Sequence, residues 1–176
     1  MSNTFLTRMP AGIAGNVTRL EHATVEPGLF DANYPCLAFG IFTKVVSGLY
    51  RPVASGDTIA NLVGGFLARP FPVNEPYGTT AAQEAIGQGV PKLADAANIL
   101  KRGYIMALMT NNGGTAMASV VKGDAVYIRQ TAAIAPLSGS VGDIEAGSAT
   151  GNQVLPGAYF MGAPDSNGFT EIAFNI

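Results

Sequence analysis

Residues Tyr104-Ile-Met-Ala-Leu-Met109 and Asp124-Ala-Val-Tyr-Ile-Arg129, with Asn111-Asn112-Gly113-Gly114 between them, decide how this chain reads. Each apolar run is about six residues long, too short for a stable helix and suited to a strand. In the second run Val126 and Ile128 fall on one face, with Tyr127 and Arg129 on the other. In the first, Ile105, Ala107 and Met109 oppose Tyr104, Met106 and Leu108, so both faces are apolar enough to be covered. Asn and Gly tolerate positive φ, so Asn111–Gly114 predicts a turn.

The same rhythm extends in both directions. Pro27-Gly28, Gly48, Ser55-Gly56-Asp57, Gly64-Gly65, Lys122-Gly123-Asp124, Pro156-Gly157 and Asp165-Ser-Asn-Gly168 cut the chain into short pieces. Ile41–Val46 reads as a strand, and Ala158–Met161 with Phe169–Phe174 reads as a hairpin around Asp165–Gly168. Gly12–Gly15, Gly64–Arg69 and Gly139–Gly142 lack the Gly-Lys-Ser/Thr of a phosphate loop and read as tight turns. Helix formers occur only at Thr80–Ala85 and Leu93–Leu100, separated by Gly87, Gly89 and Pro91. The expectation is an all-β fold: a compact β-sandwich or barrel-like body over residues 31–176, with an exposed loop at about 74–97 holding at most a short helix. Residues 1–30 form an N-terminal arm in this reading. Its Val17–Glu26 segment alternates loosely and could add as a strand to a neighbour's sheet.

Composition bounds the function. Of 176 residues only 12% are charged, against about 25% in an ordinary soluble domain. Glycine (22) and proline (11) are abundant, and the formal net charge is −2. A surface so poor in charge implies contact with partners. Scattered basic residues exclude a general nucleic-acid binder. No apolar run reaches the ~18–20 residues that span a bilayer, so no membrane contact is expected. The N-terminus lacks the features of a secretory signal, which places synthesis in the cytoplasm.

The chemistry-bearing residues are few. Cys36 and His22 are the only members of their types. Cys36 sits in the apolar run Tyr34–Phe39, where a buried thiol is the ordinary outcome, and His22 lies in the arm. One Cys and one His cannot fill a zinc site, and no calcium-loop spacing occurs. Without tryptophan platforms, no pair of acids stands out for sugar cleavage. Catalytic, cofactor and metal residues are therefore expected to be none.

Several blocks resemble one family in order along the chain. These are Pro10–Arg19 with Glu21–Pro27, Gly65–Pro72, Ile99–Ile105, Lys122–Arg129, Gly157–Gly162 and Glu171–Ile176. They resemble the structural cement, or capsid decoration, proteins of tailed bacteriophages. The resemblance implies a virion protein made in the host bacterial cytoplasm that sits on the outer capsid face and joins capsomers. Its expected partners are the major capsid protein and its own copies, as a homotrimer. It brings no catalytic or cofactor residues. The capsid contacts inferred for this chain are Val17, Arg19, Glu21, His22, Val25 and Glu26 in the arm, with Tyr77 and Gln83 in the loop. Two other readings are a tail, baseplate or fibre component, and a small trimeric β-barrel enzyme of nucleotide metabolism. The first would show repeats or coiled coil, and the second a cluster of basic residues around one pocket.

Overall fold

The computed structural model describes residues 13–69, 91, 96–110, 116–132 and 140–176. Among them the strands are β1 (Thr24–Gly28), β2 (Phe42–Val46), β3 (Leu49–Pro52), β4 (Gly64–Ala68), β5 (Ala97–Leu108), β6 (Ala125–Arg129), β7 (Ile144–Ala146), β8 (Asn152–Phe160) and β9 (Phe169–Phe174). Short 3-10 turns at Leu20–His22, Ile59–Asn61 and Met117–Ser119 are the only helical pieces described. The all-β expectation therefore holds, and the barrel-like form describes the body: one curled sheet in the order β3-β2-β4-β5-β9-β8-β6-β7, with β1 added on β5.

β5 organises this sheet. Its first half pairs β1 (Gly28 opposite Ala97) and β4 (Phe66 opposite Leu100), and its second half pairs β9 (Gly103 opposite Phe174 through Leu108 opposite Phe169). The segment before β1 continues along the same strand: Gly15 N–H donates to Met106 O at 2.8 Å and Thr18 N–H to Tyr104 O at 3.1 Å. Gly103 sits where β4 gives way to β9, with φ +136°, a conformation glycine adopts without strain. The strand changes course there, so the sheet's two halves diverge. Phe42, Phe66 and Phe174 fill the wedge, their rings meeting edge to face at centroid distances of 5.3 to 5.9 Å. Such pairs add about 0.5–1.5 kcal/mol each beyond the area they bury.

Each half curls back on itself. The chain after β1 bridges β3 in parallel at Phe30 and Tyr50, and the end of β5 bridges β7 at Met109 and Ile144. A smaller core of Phe30, Cys36, Tyr50, Leu67, Ala97 and Ile99 fills the first curl. The larger core carries Leu100, Ile105, Val126, Ile128, Phe160 and Ile172 beside the phenylalanine wedge. Val126 and Ile128 face inward as the alternation predicts, and β8 and β9 form the expected hairpin, with Asp165 Oδ1 accepting from the Asn167 and Phe169 amides.

Three expectations need correction. Gly64–Arg69 is not a turn: Gly64–Ala68 is β4, buried from Gly65 onward. A Cβ on Gly65 would lie 2.5 Å from Leu100 O, and one on Gly64 only 1.9 Å from Thr43 O. Glycine serves there because neighbouring backbones approach closely. Of the Leu93–Leu100 helix candidate, Ala97–Leu100 opens β5 instead, because pairing on both edges overrides local propensity. Ala97, taken as the end of the exposed loop, is 1% exposed. Most of that loop (74–90 and 92–95, with Thr80–Ala85 among them), Gly12, Gly139 and the Asn111–Gly114 turn lie outside the described residues.

Gly65→Ala should cost about 3 kcal/mol, the upper range for overpacking. Gly48→Ala, where no atom lies within 4 Å of the new methyl, should cost about 1 kcal/mol, from its left-handed backbone alone. Urea unfolding of the two variants checks the ordering.

Candidate functional site

The first thing to place is the arm. Val17 bridges Ile105, and β1 lies on β5, so this segment adds as a strand to the chain's own sheet. Its side chains find little cover there. Thr24, Val25, Glu26 and Pro27 are all exposed although successive residues point to opposite faces, and no residue of the Leu20–His22 turn is buried. What anchors the segment, besides backbone hydrogen bonds, is Glu171 on β9. Its carboxylate accepts from Thr18 Oγ1, and from Arg19 Nη2 at 2.8 Å. Arg19 also stacks on Tyr104 at 4.0 Å. The hydrogen bond that Arg19 donates to Glu171 raises the Arg19 pKa further above its already high value, against a smaller opposing effect of burial.

Among the expected contact residues, Val17 packs on the core and Arg19 is held by Glu171, so these two fasten the segment. Glu21, His22, Val25 and Glu26 are exposed together on it. His22 stands 3.9 Å from Glu21 and edge-on to Tyr104. Tyr77 and Gln83 lie outside the described residues. Two neighbours escaped the sequence reading: Leu20 is 72% exposed and Leu29 65%. Their signal was present, as large apolar residues in a segment otherwise polar. With Val25, 42% exposed, they put three large apolar side chains on the surface of one ten-residue stretch. Exposed apolar patches of this kind mark interaction surfaces.

Charge, meanwhile, is drawn inward. Arg129 and Glu145 are almost fully buried and pair in a fork, with Arg129 Nη2 to Glu145 Oε2 at 3.0 Å, and Asn152 Nδ2 donates to the same oxygen at 2.9 Å. Lys44, 4% exposed, meets Asp57 Oδ1 at 2.6 Å. Arg51 approaches Asp31 at 4.0 Å and stacks on Tyr34. The first pair braces β6 against β7, and the other two tie β2 and β3 to loop carboxylates. The Cys36 thiol is buried, and desolvation pushes its pKa from 9.0 to about 11, so it stays protonated at neutral pH. Among the described residues, no group of three or more His, Cys, Asp or Glu side chains could hold a metal ion.

An all-β body with internal ion pairs, and with exposed Leu20, Val25 and Leu29 around β1, is consistent with a structural assembly subunit. Residues 1–175 match the model of one family, described as structural cement protein (E217 gp24/Pam3 gp6), and the chain belongs to that family. It is thus a capsid-associated structural protein of the phage virion. Its fold is also that of a chain in a solved structure described as the capsid of Myoviridae Phage XM1. The two share 19% identity at a TM-score of 0.64, over 99% of this chain and 97% of the other. No curated protein sequence matches the chain significantly.

Glu145→Gln should destabilise the protein by about 3–5 kcal/mol, because the buried Arg129 loses its forked, buried counter-charge; replacing both partners by apolar residues should cost far less. Thermal melts of the single and double variants check this. Because folding raises the Cys36 pKa, the stability it confers is complete below pH 9 and falls as pH rises toward 11. On the order of 2 kcal/mol should be lost over that window, and Cys36→Ala should flatten that part of the stability profile.

Proposed function

We propose that the protein sits on the outer face of the capsid and clamps neighbouring capsomers without covalent chemistry. The observation that carries this reading is the segment from Leu20 to Leu29. Its backbone is secured on β5, while Leu20, Val25 and Leu29 are presented to the outside beside Glu21, His22 and Glu26. A strand uncovered on both faces loses little by being covered: its backbone order is already in place, so binding forfeits less conformational entropy. The apolar side chains supply affinity, and the flanking charges supply orientation. Tyr77 and Gln83 belong to a second bridging segment in this proposal.

The low surface charge further supports self-association, and a homotrimer at a local three-fold axis is the arrangement we propose. A shell carrying many such subunits gains from avidity, since each contact is modest but release requires several to open together. The major capsid protein is the partner that the exposed segment would meet. Synthesis in the host cytoplasm, before addition to the head, goes with the same proposal.

The test is co-sedimentation of the purified protein with heads lacking it, both unexpanded and expanded. Saturable binding is expected, with binding weakened at least tenfold by Val25→Asp with Leu29→Asp and unchanged melting temperature. Val121→Asp, at an exposed site outside this segment, should leave binding intact. Absence of wild-type binding to either head form would overturn the outer-face reading. Normal binding by the double variant would overturn the role of this segment.

A further inference from the structure

The two curls of the sheet share one connectivity. In the first, β5 pairs β1 and β4, β2 pairs β3 and β4, and the chain after β1 closes on β3 through the parallel bridge of Phe30 with Tyr50. In the second, β9 pairs the far half of β5 and β8, β6 pairs β7 and β8, and the end of β5 closes on β7 through the parallel bridge of Met109 with Ile144. Strand for strand, β1 to β5 answer to β5 to β9, with β5 the last strand of one curl and the first of the other. The closing hydrogen bonds match as well: the Asp31 amide donates to Tyr50 O at 2.9 Å, and the Thr110 amide to Ile144 O at 2.8 Å. Counting back from these bonds places Val25, Glu26 and Pro27 where the second curl has Tyr104, Ile105 and Met106. The opposite neighbours agree, since Glu26 lies across from Ile99 and Ile105 from Ile172, both fully buried.

At this shared position the curls differ. In the second, the outer edge is occupied by the chain's own Gly15–Thr18. The Thr18 amide donates to Tyr104 O at 3.1 Å, the Met106 amide to Asn16 O at 2.8 Å, and Val17 lies antiparallel opposite Ile105. In the first, the same edge is open. Leu29 O and the Asp31 amide bond to Tyr50 on that side, and backbone groups alternate along a strand, so those of Val25 and Pro27 point the same way. Neither carbonyl has a partner on that edge among the described residues, and Thr24 to Pro27 are exposed. Open edges take up extended chains, with main-chain hydrogen bonds supplying affinity. Proline has no N–H to give, so the edge offers Val25 O and Pro27 O as acceptors and lacks the donor that Met106 supplies.

We propose that the outer edge of Val25–Pro27 accepts an extended segment of the capsid protein, added antiparallel as Gly15–Thr18 is added on β5. This rests on the capsid contact proposed for the Leu20–Leu29 face and gives its mode, because the edge runs through that face. A second copy has no matching strand to spare: its own Gly15–Thr18 is bonded to its own β5, and moving it breaks as many bonds as it makes. The capsid residue seated opposite Glu26 suits a basic side chain, since directly opposed unlike charges stabilise an antiparallel pair and like charges weaken it.

The test places the photo-cross-linker benzoylphenylalanine at Glu26 of the full-length protein and, in a second variant, at Thr24. Each is bound to heads lacking the protein, sedimented, irradiated and mapped by mass spectrometry. Cross-links are expected within one short run of the capsid protein. Moving the probe from Glu26 to Thr24 is expected to shift them by roughly two residues toward that protein's C-terminus, because the strands run in opposite directions. Pro27→Ala restores a donor to the edge and is expected to tighten head binding about fivefold, whereas Val121→Ala leaves it unchanged. Should bulk at Glu26 abolish binding, the Thr24 probe and Pro27→Ala carry the test. If the wild-type protein does not sediment with heads, the capsid reading fails and the proposal with it. If it sediments but the cross-links fall on a second copy, scatter over several capsid segments or shift the other way, strand addition is overturned while the capsid contact stands. Sedimentation without cross-links, and with Pro27→Ala indifferent, overturns it too.

Discussion

One strand carries the architecture. β5 is hydrogen-bonded along both edges, to β1 and the segment before it on one side and to β4 and then β9 on the other. Among the described residues, the strand pairing that joins the two halves of the body passes through it. The transition occurs at Gly103, where a Cβ would lie 3.0 Å from Ala23 Cα and the positive φ would strain any other residue. The phenylalanine wedge exists because the halves diverge there.

The same geometry settles the fate of the sheet's edges. An open sheet leaves unpaired N–H and C=O groups that invite further strands. Here the β3 end is tied back at Tyr50, where the Asp31 amide donates to Tyr50 O and the Tyr50 amide to Leu29 O. The β7 end is tied back by the Thr110 amide on Ile144 O. The sheet ends are thereby kept from unselective strand pairing, while β1 remains open on both faces.

Electrostatics follow a related division. A chain with few charged residues places several of them in pairs, one between strands (Arg129 with Glu145) and two from a strand to a neighbouring loop or segment (Lys44 with Asp57, Glu171 with Arg19). Each pair ties segments distant in sequence, and the desolvation of each ion is offset by forked or multiple hydrogen bonds. Membership of the structural cement family fits this distribution: the arrangement supplies support, and the titratable groups serve the fold.

The local signals were strong enough to be read directly. Period-two alternation at Ala125–Arg129 and turn chemistry at Asp165–Gly168 placed strands and a hairpin, because both depend on neighbours in the chain. Scarce Cys and His and diluted charge pointed to an assembly role, and the ordered blocks from Pro10 to Ile176 pointed to the family. What tertiary structure alone decided was everything dependent on distant backbone. Gly64-Gly65 resembles a turn until Thr43 and Leu100 crowd it into a strand. Ala97–Leu100 resembles helix until β1 and β4 pair both its edges. The Val17–Glu26 segment reads as an arm for another molecule until β5 of the same chain supplies its partner. In each case the deciding atoms lie tens of residues away, so no window of sequence contains them.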